Sequence, residues 1–117
     1  MIEVKELRVG NKLKIDGVIV TIDERTIFDF NQDKRVKEQI PLTSDFLKNH
    51  TEFERYTGWD DQIYWAIEGE KENYKRFELL ELENGFELPS GYVCEFVHQL
   101  QNCYFFHYCD GRELKIK

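Results

Sequence analysis

Two Cys–His pairs near the C-terminus have the side chains and the spacing to do chemistry: Cys94 with His98, and Cys103 with His107. On a helix, residues four apart lie on one face. Each pair therefore offers a thiolate and an imidazole to a metal such as zinc, or a nucleophile with its base. The pairs start nine residues apart, which at about 100° per residue is half a turn once whole turns are removed. A straight helix points them to opposite sides. One tetrahedral site would need His50 or Cys109 recruited from elsewhere, and no metal is expected. Cys103 also falls among apolar neighbours in an acidic region, a setting that raises a thiol pKa. The expectation is small buried thiols and helix-surface imidazoles.

Other chemistry is thinner. The chain has no Gly-x-Ser-x-Gly elbow and no Gly-rich phosphate loop. Leu7-Arg8-Val9-Gly10-Asn11 has one glycine and reads as a turn. Carboxylates are abundant, so neighbours such as Asp60-Asp61 arise from composition alone. Acid–base catalysis needs two carboxyls facing across a cleft with separated pKa values. The residues predict no enzyme activity and no cofactor. The one enzymatic alternative is a site around His98, which requires a concave pocket at that ring.

The elements that must position these residues are short. Lys12-Leu13-Lys14-Ile15, a two-residue Asp16-Gly17 turn and Val18-Ile19-Val20-Thr21-Ile22 read as a β-hairpin. Thr26-Ile27-Phe28-Asp29-Phe30 alternates and predicts a further strand. Asn31–Glu38 is polar and predicts a loop. Ile40-Pro41-Leu42 is extended, and Thr43 caps a short helix through Phe46 and Leu47 that ends near His50. Strands are predicted at 63–67, 74–82 and 86–88, with turns at 69–73 and at Asn84-Gly85. Tyr92 to about Tyr108 predicts a long helix whose apolar arc is wide enough for deep packing. Glu113–Lys117 alternates as an edge strand. The fold class that follows is α+β: a small antiparallel, partly barrel-like sheet with an SH3-like N-terminal half, packed against one long C-terminal helix. With 117 residues, two prolines and no Gly/Ser-rich stretch, residues 1–117 form a single domain.

Charge divides the chain unevenly. Residues 1–50 hold nine acids and nine bases, whereas 51–117 hold fourteen and seven, so the second half carries the whole net charge of -7. This excess argues against a general nucleic-acid binder, which needs a basic stripe to neutralise phosphates. Its ordinary role is a solvated surface; its sharper one is a face for a basic protein. The candidate contact residues are Tyr56, Trp59, Asp60, Asp61, Glu68, Glu70, Glu72, Glu81, Glu83 and Phe106, with the aromatics as anchors. No apolar run of membrane-spanning length occurs, the N-terminus lacks the order of a signal peptide, and three cysteines predict reduced thiols in a cytoplasmic protein.

On the last helix, His98, Gln99 and Asn102 face away from the apolar stripe, while Gln101 lies within it. A buried Gln must find partners, so Gln101 and Asn102 are expected to tie the helix to backbone edges. Three stretches in order, Glu6-Leu7-Arg8-Val9-Gly10-Asn11, Ile40-Pro41-Leu42-Thr43 and above all Val97-His98-Gln99-Leu100-Gln101-Asn102 with Tyr104-Phe105, resemble a family of small proteins encoded in bacterial and prophage genomes. The family has no assigned activity. In it an aliphatic residue usually stands where Cys103 does, and the run from Phe106 to Arg112 is shorter. The resemblance implies structural roles for His98, Gln99, Gln101, Asn102 and Tyr104, and a phage or mobile-element accessory protein acting in the host cytoplasm. The expected function is stoichiometric binding of a host protein, in its most concrete form inhibition of a defence system (anti-CRISPR-like) or another nucleic-acid-handling effector. A homodimer is compatible with it. The alternative is a nucleic-acid-associated module using Lys12, Lys14, Arg25, Lys34, Arg35 and Lys37.

Overall fold

The computed structural model describes residues 2, 4–67, 77–107 and 113–117. It is an α+β arrangement of two antiparallel sheets and three α-helices. The first sheet is built from β1 (Lys12–Ile15), β2 (Val18–Thr21) and β3 (Lys37–Glu38), in the order β2-β1-β3. Asp16 and Gly17 join β1 to β2 with φ of 50° and 81°. Positive φ at both central residues is the hairpin geometry whose twist matches the strands. Leu13, Ile22 and Phe30 form the buried cluster of this half, with Ile2, Val4, Leu7 and Ile27 packed against it.

Residues 26–30 do not form the predicted strand. Thr26–Phe28 belong to α1 (Glu24–Phe28), and Asp29 and Phe30 to the turn that follows, because Asp23 accepts from Thr26 N at 2.8 Å and Thr26 Oγ1 at 2.7 Å. This N-cap outweighs the β-branched character of Thr26 and Ile27. The predicted loop 31–38 ends in β3, which pairs with β1 through Lys14–Glu38 and Ile15–Lys37.

The second sheet has the order β4-β5-β6-β7-β8, formed by β4 (Glu54–Thr57), β5 (Ile63–Ile67), β6 (Phe77–Leu82), β7 (Gly85–Glu87) and β8 (Val93–Cys94). Its inner face contributes Trp65, Phe77, Leu79, Phe86 and Cys94 to the main core. Opposite them lie Leu47 from α2 (Ser44–His50), and Val97, Leu100 and Tyr104 from α3 (Val97–His107). Thr43 caps α2 as expected. Neither sheet closes into a barrel. The β6–β7 turn falls on Glu83-Asn84, one residue before the predicted Asn84-Gly85. Gly85 pairs with Leu82, and a Cβ there would lie 2.7 Å from Val93 Cγ1. Its glycine serves a close approach of strands, not the turn.

The C-terminal helix is shorter than expected. Residues 93–96 are extended: Phe96 bridges Pro41, Leu42 N donates to Glu95 O at 2.9 Å, and Val97 N donates to Ile40 O at 2.9 Å. The segment 40–42 thus pairs with residues 95–97, just past the end of β8. Gln99 Oε1 accepts from the backbone N–H groups of Glu95 and Phe96 at 2.8 and 3.1 Å. This reach-back satisfies donors that helical partners leave unpaired at an N-terminus and sets the start of α3. Residues 113–117 are extended without a strand ladder. Leu114 enters the main core and Lys117 N donates to His50 O at 2.7 Å. The predicted turn at 69–73, the first part of the 74–82 strand and Tyr108 lie outside the described residues. No helix among those described is long and apolar enough to cross a membrane.

Candidate interaction surface

The register of the second sheet gathers acidic and aromatic side chains at one end. Tyr64 lies opposite Leu80, so the start of β5 and the end of β6 share that end. The β4–β5 loop, 58–62, and the Glu83-Asn84 turn therefore project together. Phe86 lies opposite both Glu81 and Cys94, which brings Glu95 to the same end. With strands about 4.8 Å apart, these groups spread over roughly 15 Å.

The β4–β5 loop is braced from within. Asp60 Oδ2 accepts from Tyr64 Oη at 2.6 Å and its Oδ1 accepts from Gln62 N at 3.0 Å. The Tyr64 ring stacks on Tyr56 at 5.4 Å and 18°. Asp61 takes a left-handed φ of 62°, tolerated best by Asn, Asp and Gly. Trp59 sits at the apex and is fully exposed, at 106% of its reference area. The hydrogen bonds from Tyr64 and Gln62 lower the Asp60 pKa. The Asp60 carboxylate in turn pushes the Tyr64 phenol up to about 12. The loop presents a tryptophan beside the Asp60 carboxylate, whose ionised form these bonds favour.

Beside it lies an open groove of about 880 Å³ lined by Pro41, Thr43, Glu81, Glu83, Glu95 and Phe96, among others. Glu81 is half-buried and accepts from Trp65 Nε1 at 2.9 Å, so it supports the core as well as the groove. Asp61, Glu83 and Glu95 are exposed. Glu68, Glu70 and Glu72 lie outside the described residues. Phe106 is 62% exposed but sits near the other end of α3, where its ring meets Phe105 and the Arg8 guanidinium. Trp59 and Phe106 belong to different surfaces.

The motif on α3 does not form a surface. Gln101 is 2% exposed; its Oε1 accepts from Lys12 N at 2.8 Å and its Nε2 donates to Gly10 O at 3.0 Å. Asn102 Oδ1 accepts from Asn11 Nδ2 at 2.8 Å and Arg8 Nε at 3.2 Å, and its Nδ2 donates to Glu6 O. Tyr104 packs edge-on to Phe77. Gln101 thus ties the helix to the backbone at the start of β1, whereas Asn102 engages the N-terminal segment before the sheet, through the Asn11 and Arg8 side chains and the Glu6 carbonyl. His98 corrects the expectation of a surface imidazole. It is 1% exposed, because the N-terminal segment covers that side of the helix, and among the described residues neither ring nitrogen has a hydrogen-bond partner. Burial lowers its pKa, against a smaller upward pull from Glu6. At 1% exposure the ring does not face solvent.

The cysteines also differ from expectation. Cys94 is not on the helix but in β8, and it is fully buried. The Cys103 thiol and burial raise its pKa, and Cys94 in turn lowers that of Cys103 against its burial. Cys109 lies outside the described residues. Among those described, no group of three or more metal-ligating side chains converges.

The basic residues of the first half are largely engaged. Arg35 chelates Asp33, with Nη2 to Oδ2 at 2.5 Å. Arg25 pairs with Asp29 at 3.9 Å, Lys12 bonds Thr21, and Lys37 bonds the Asp33 carbonyl and lies over the Phe30 ring. Arg25 and Arg35 share one depression with Asp23, Asp29 and Asp33, which cancels the positive field a phosphate backbone would need.

Comparisons of the chain with family models, with curated proteins and with solved structures find no match.

Proposed function

We propose that the protein acts by stoichiometric binding of a basic host protein through the acidic, aromatic end of the five-stranded sheet. Trp59 carries this reading. A large amphipathic ring held fully in solvent on an internally bonded loop gains burial on binding and loses little freedom. The surrounding carboxylates select a positively charged partner and steer its approach. Nucleic-acid-handling effectors have such surfaces, and the motif resemblance supports a phage or mobile-element origin. The most specific form of the proposal is therefore an anti-CRISPR-like inhibitor working in the host cytoplasm by occupying a groove meant for nucleic acid. The direct nucleic-acid alternative is weakened by the ion pairs around Arg25 and Arg35.

The experiment uses immobilised wild-type protein, Trp59→Ala, and a triple Asp61→Asn, Glu83→Lys, Glu95→Lys variant, whose Asn keeps a residue suited to the left-handed backbone at that position, with host lysate and mass spectrometry followed by affinity measurement on the captured protein. Trp59→Ala should weaken capture by about 30-fold, as for a central Trp anchor worth at least about 2 kcal/mol. The triple variant should abolish it. A captured partner whose affinity is unchanged by both variants refutes this surface.

A further inference from the structure

We propose that β2 is a self-association edge: a second copy of the chain adds its own β2 antiparallel across a two-fold axis, joining two three-stranded sheets into one of six strands. β2 stands at the end of the order β2-β1-β3, so among the described residues no strand covers its far side. Ile22 N donates to Asn11 O at 2.8 Å. The alternation of an antiparallel ladder then turns the backbone groups of Val18 and Val20 towards β1 and those of Ile19 and Thr21 outwards. Sheet edges are normally guarded by charge, proline, shortness or a cover. Among the described edges, β3 is two residues long and carries Lys37 and Glu38, β4 carries Glu54 and Arg55, and β8 is two residues long. β2 has no such guard. With Ile22 it is an unbroken run of β-branched residues, Val18-Ile19-Val20-Thr21-Ile22, without a charge. Val18 is 62% exposed and Ile19 49%.

Register and charge select a second copy as the occupant. A two-fold axis through Val20 sets Ile19 opposite the second copy's Thr21, and the outward N–H and C=O groups of each such pair bond reciprocally. In the same register Val20 faces the second copy's Val20, and Ile22 faces its Val18. Every cross-strand pair then joins β-branched side chains, which pack well on a sheet. Leu13 lies opposite Val20 in the hairpin and belongs with Ile22 to the buried cluster of this half. The exposed Val18 of each copy therefore extends the apolar layer of the other. Residues 1–50 carry no net charge, whereas 51–117 carry the whole -7, so two copies meet at the first sheet without the repulsion that the second would impose. A basic partner finds no carboxylate on the strand itself. The acids that flank it are engaged, Asp16 by Val36 N at 2.8 Å and Asp23 by Thr26 N at 2.8 Å. A strand this short offers far fewer than the roughly 20–30 residues a side of a standard interface, so the dimer is weak, with a Kd on the order of 0.1–1 mM.

The test follows the full chain under reducing conditions by sedimentation equilibrium from about 10 μM to about 1 mM, a range that brackets the expected Kd, with amide hydrogen exchange at both ends of the range. The average mass of the wild type should rise from 14.1 kDa towards twice that value. Exchange at the Ile19 and Thr21 amides should slow by about 2-fold or more at the high end, as mass action requires. Ile19→Lys places a charge on the edge and should hold the mass at 14.1 kDa throughout. Thr21→Pro removes an outward N–H, leaves the ladder to β1 whole, and should do the same; it keeps the test valid if Ile19→Lys does not fold, which circular dichroism checks. Trp59→Ala, on the other sheet, should associate like the wild type. A wild-type mass that stays at 14.1 kDa, association that persists in either folded β2 variant, or concentration-dependent protection that falls on β4 instead overturns the proposal.

Discussion

Replacing His98 by leucine should stabilise the protein. His98 is 1% exposed, and among the described residues neither ring nitrogen has a hydrogen-bond partner. A buried polar group left unsatisfied costs about 1–3 kcal/mol relative to solvation in the unfolded chain. Leucine removes both polar atoms at similar volume, and its different shape offsets less than about 1.5 kcal/mol of the gain. The expected net is roughly 1 kcal/mol of stabilisation at pH 7.5, a rise in Tm of about 4 °C for a chain of this length. The pH dependence provides a second readout. Burial holds the folded-state pKa below the ordinary 6.5, so below that pH the unfolded chain binds a proton that the folded protein refuses. Wild-type stability is therefore complete above about pH 6.5 and falls as the pH drops towards the lowered folded value, with a slope approaching 1.4 kcal/mol per pH unit. Glu6 opposes this only in part. Urea denaturation of wild type and His98→Leu from pH 8 to pH 5 measures both effects. The variant should be more stable throughout, and the gap should widen on acidification. If leucine destabilises by about 1 kcal/mol and the gap does not widen, the ring is hydrogen-bonded in solution and the reasoning fails.

Two further outcomes follow from the same network and the same loop. Gln101→Leu, one turn along α3, should have the opposite sign to His98→Leu. It strands the Lys12 N–H and the Gly10 carbonyl, costing about 2–4 kcal/mol for two unsatisfied backbone groups; a urea midpoint shift equivalent to under about 1 kcal/mol would show those bonds to be absent. Asp60→Asn should bring the Tyr64 phenol from about 12 back towards its ordinary value near 10, because the carboxylate that accepts its proton and repels its phenolate is gone. Ultraviolet titration, with Tyr64→Phe identifying the transition, checks this, and an unmoved titration removes the brace from the loop.

The hairpin at Asp16-Gly17, the cap at Thr43, strand β5 and the tying role of Gln101 were legible because each depends on residues close in sequence or on a rule about burial. The misread elements share a cause. Thr26–Phe30 alternates like a strand, yet Asp23 three residues earlier supplies a helix cap; Asp23 followed by Glu24 is the signal that could have found α1. The start of α3 depends on Gln99 reaching backwards and on Pro41 pairing with Phe96 from more than fifty residues away. A helical wheel cannot contain that contact. His98 was assigned to the surface because a wheel recognises one buried face. This helix has two, one against the main sheet and one under the N-terminal loop, and the second cover is a tertiary fact. The strand position of Cys94 has the same cause: its pairing with Phe86 is a tertiary fact that a continuous helix from Tyr92 does not contain.

The same division decides where to seek function. Gln99, Gln101 and Asn102 have their amides committed to the chain's own backbone and side chains, and His98 is sealed, so the distinctive motif has little left to offer a partner. At the sheet end, Asp60 and Glu81 are likewise engaged, by Tyr64 and Trp65. Among the described residues, Asp61, Glu83 and Glu95 make no side-chain bond or ion pair. A charge reversal at Asp60 or Glu81 would disturb the loop or the core together with any contact, and lost binding there would prove nothing. Asp61→Asn, which suits the left-handed backbone there, together with Glu83→Lys and Glu95→Lys changes the field beside Trp59 while leaving the internal bonds whole. That is why these three, with Trp59, separate recognition from folding.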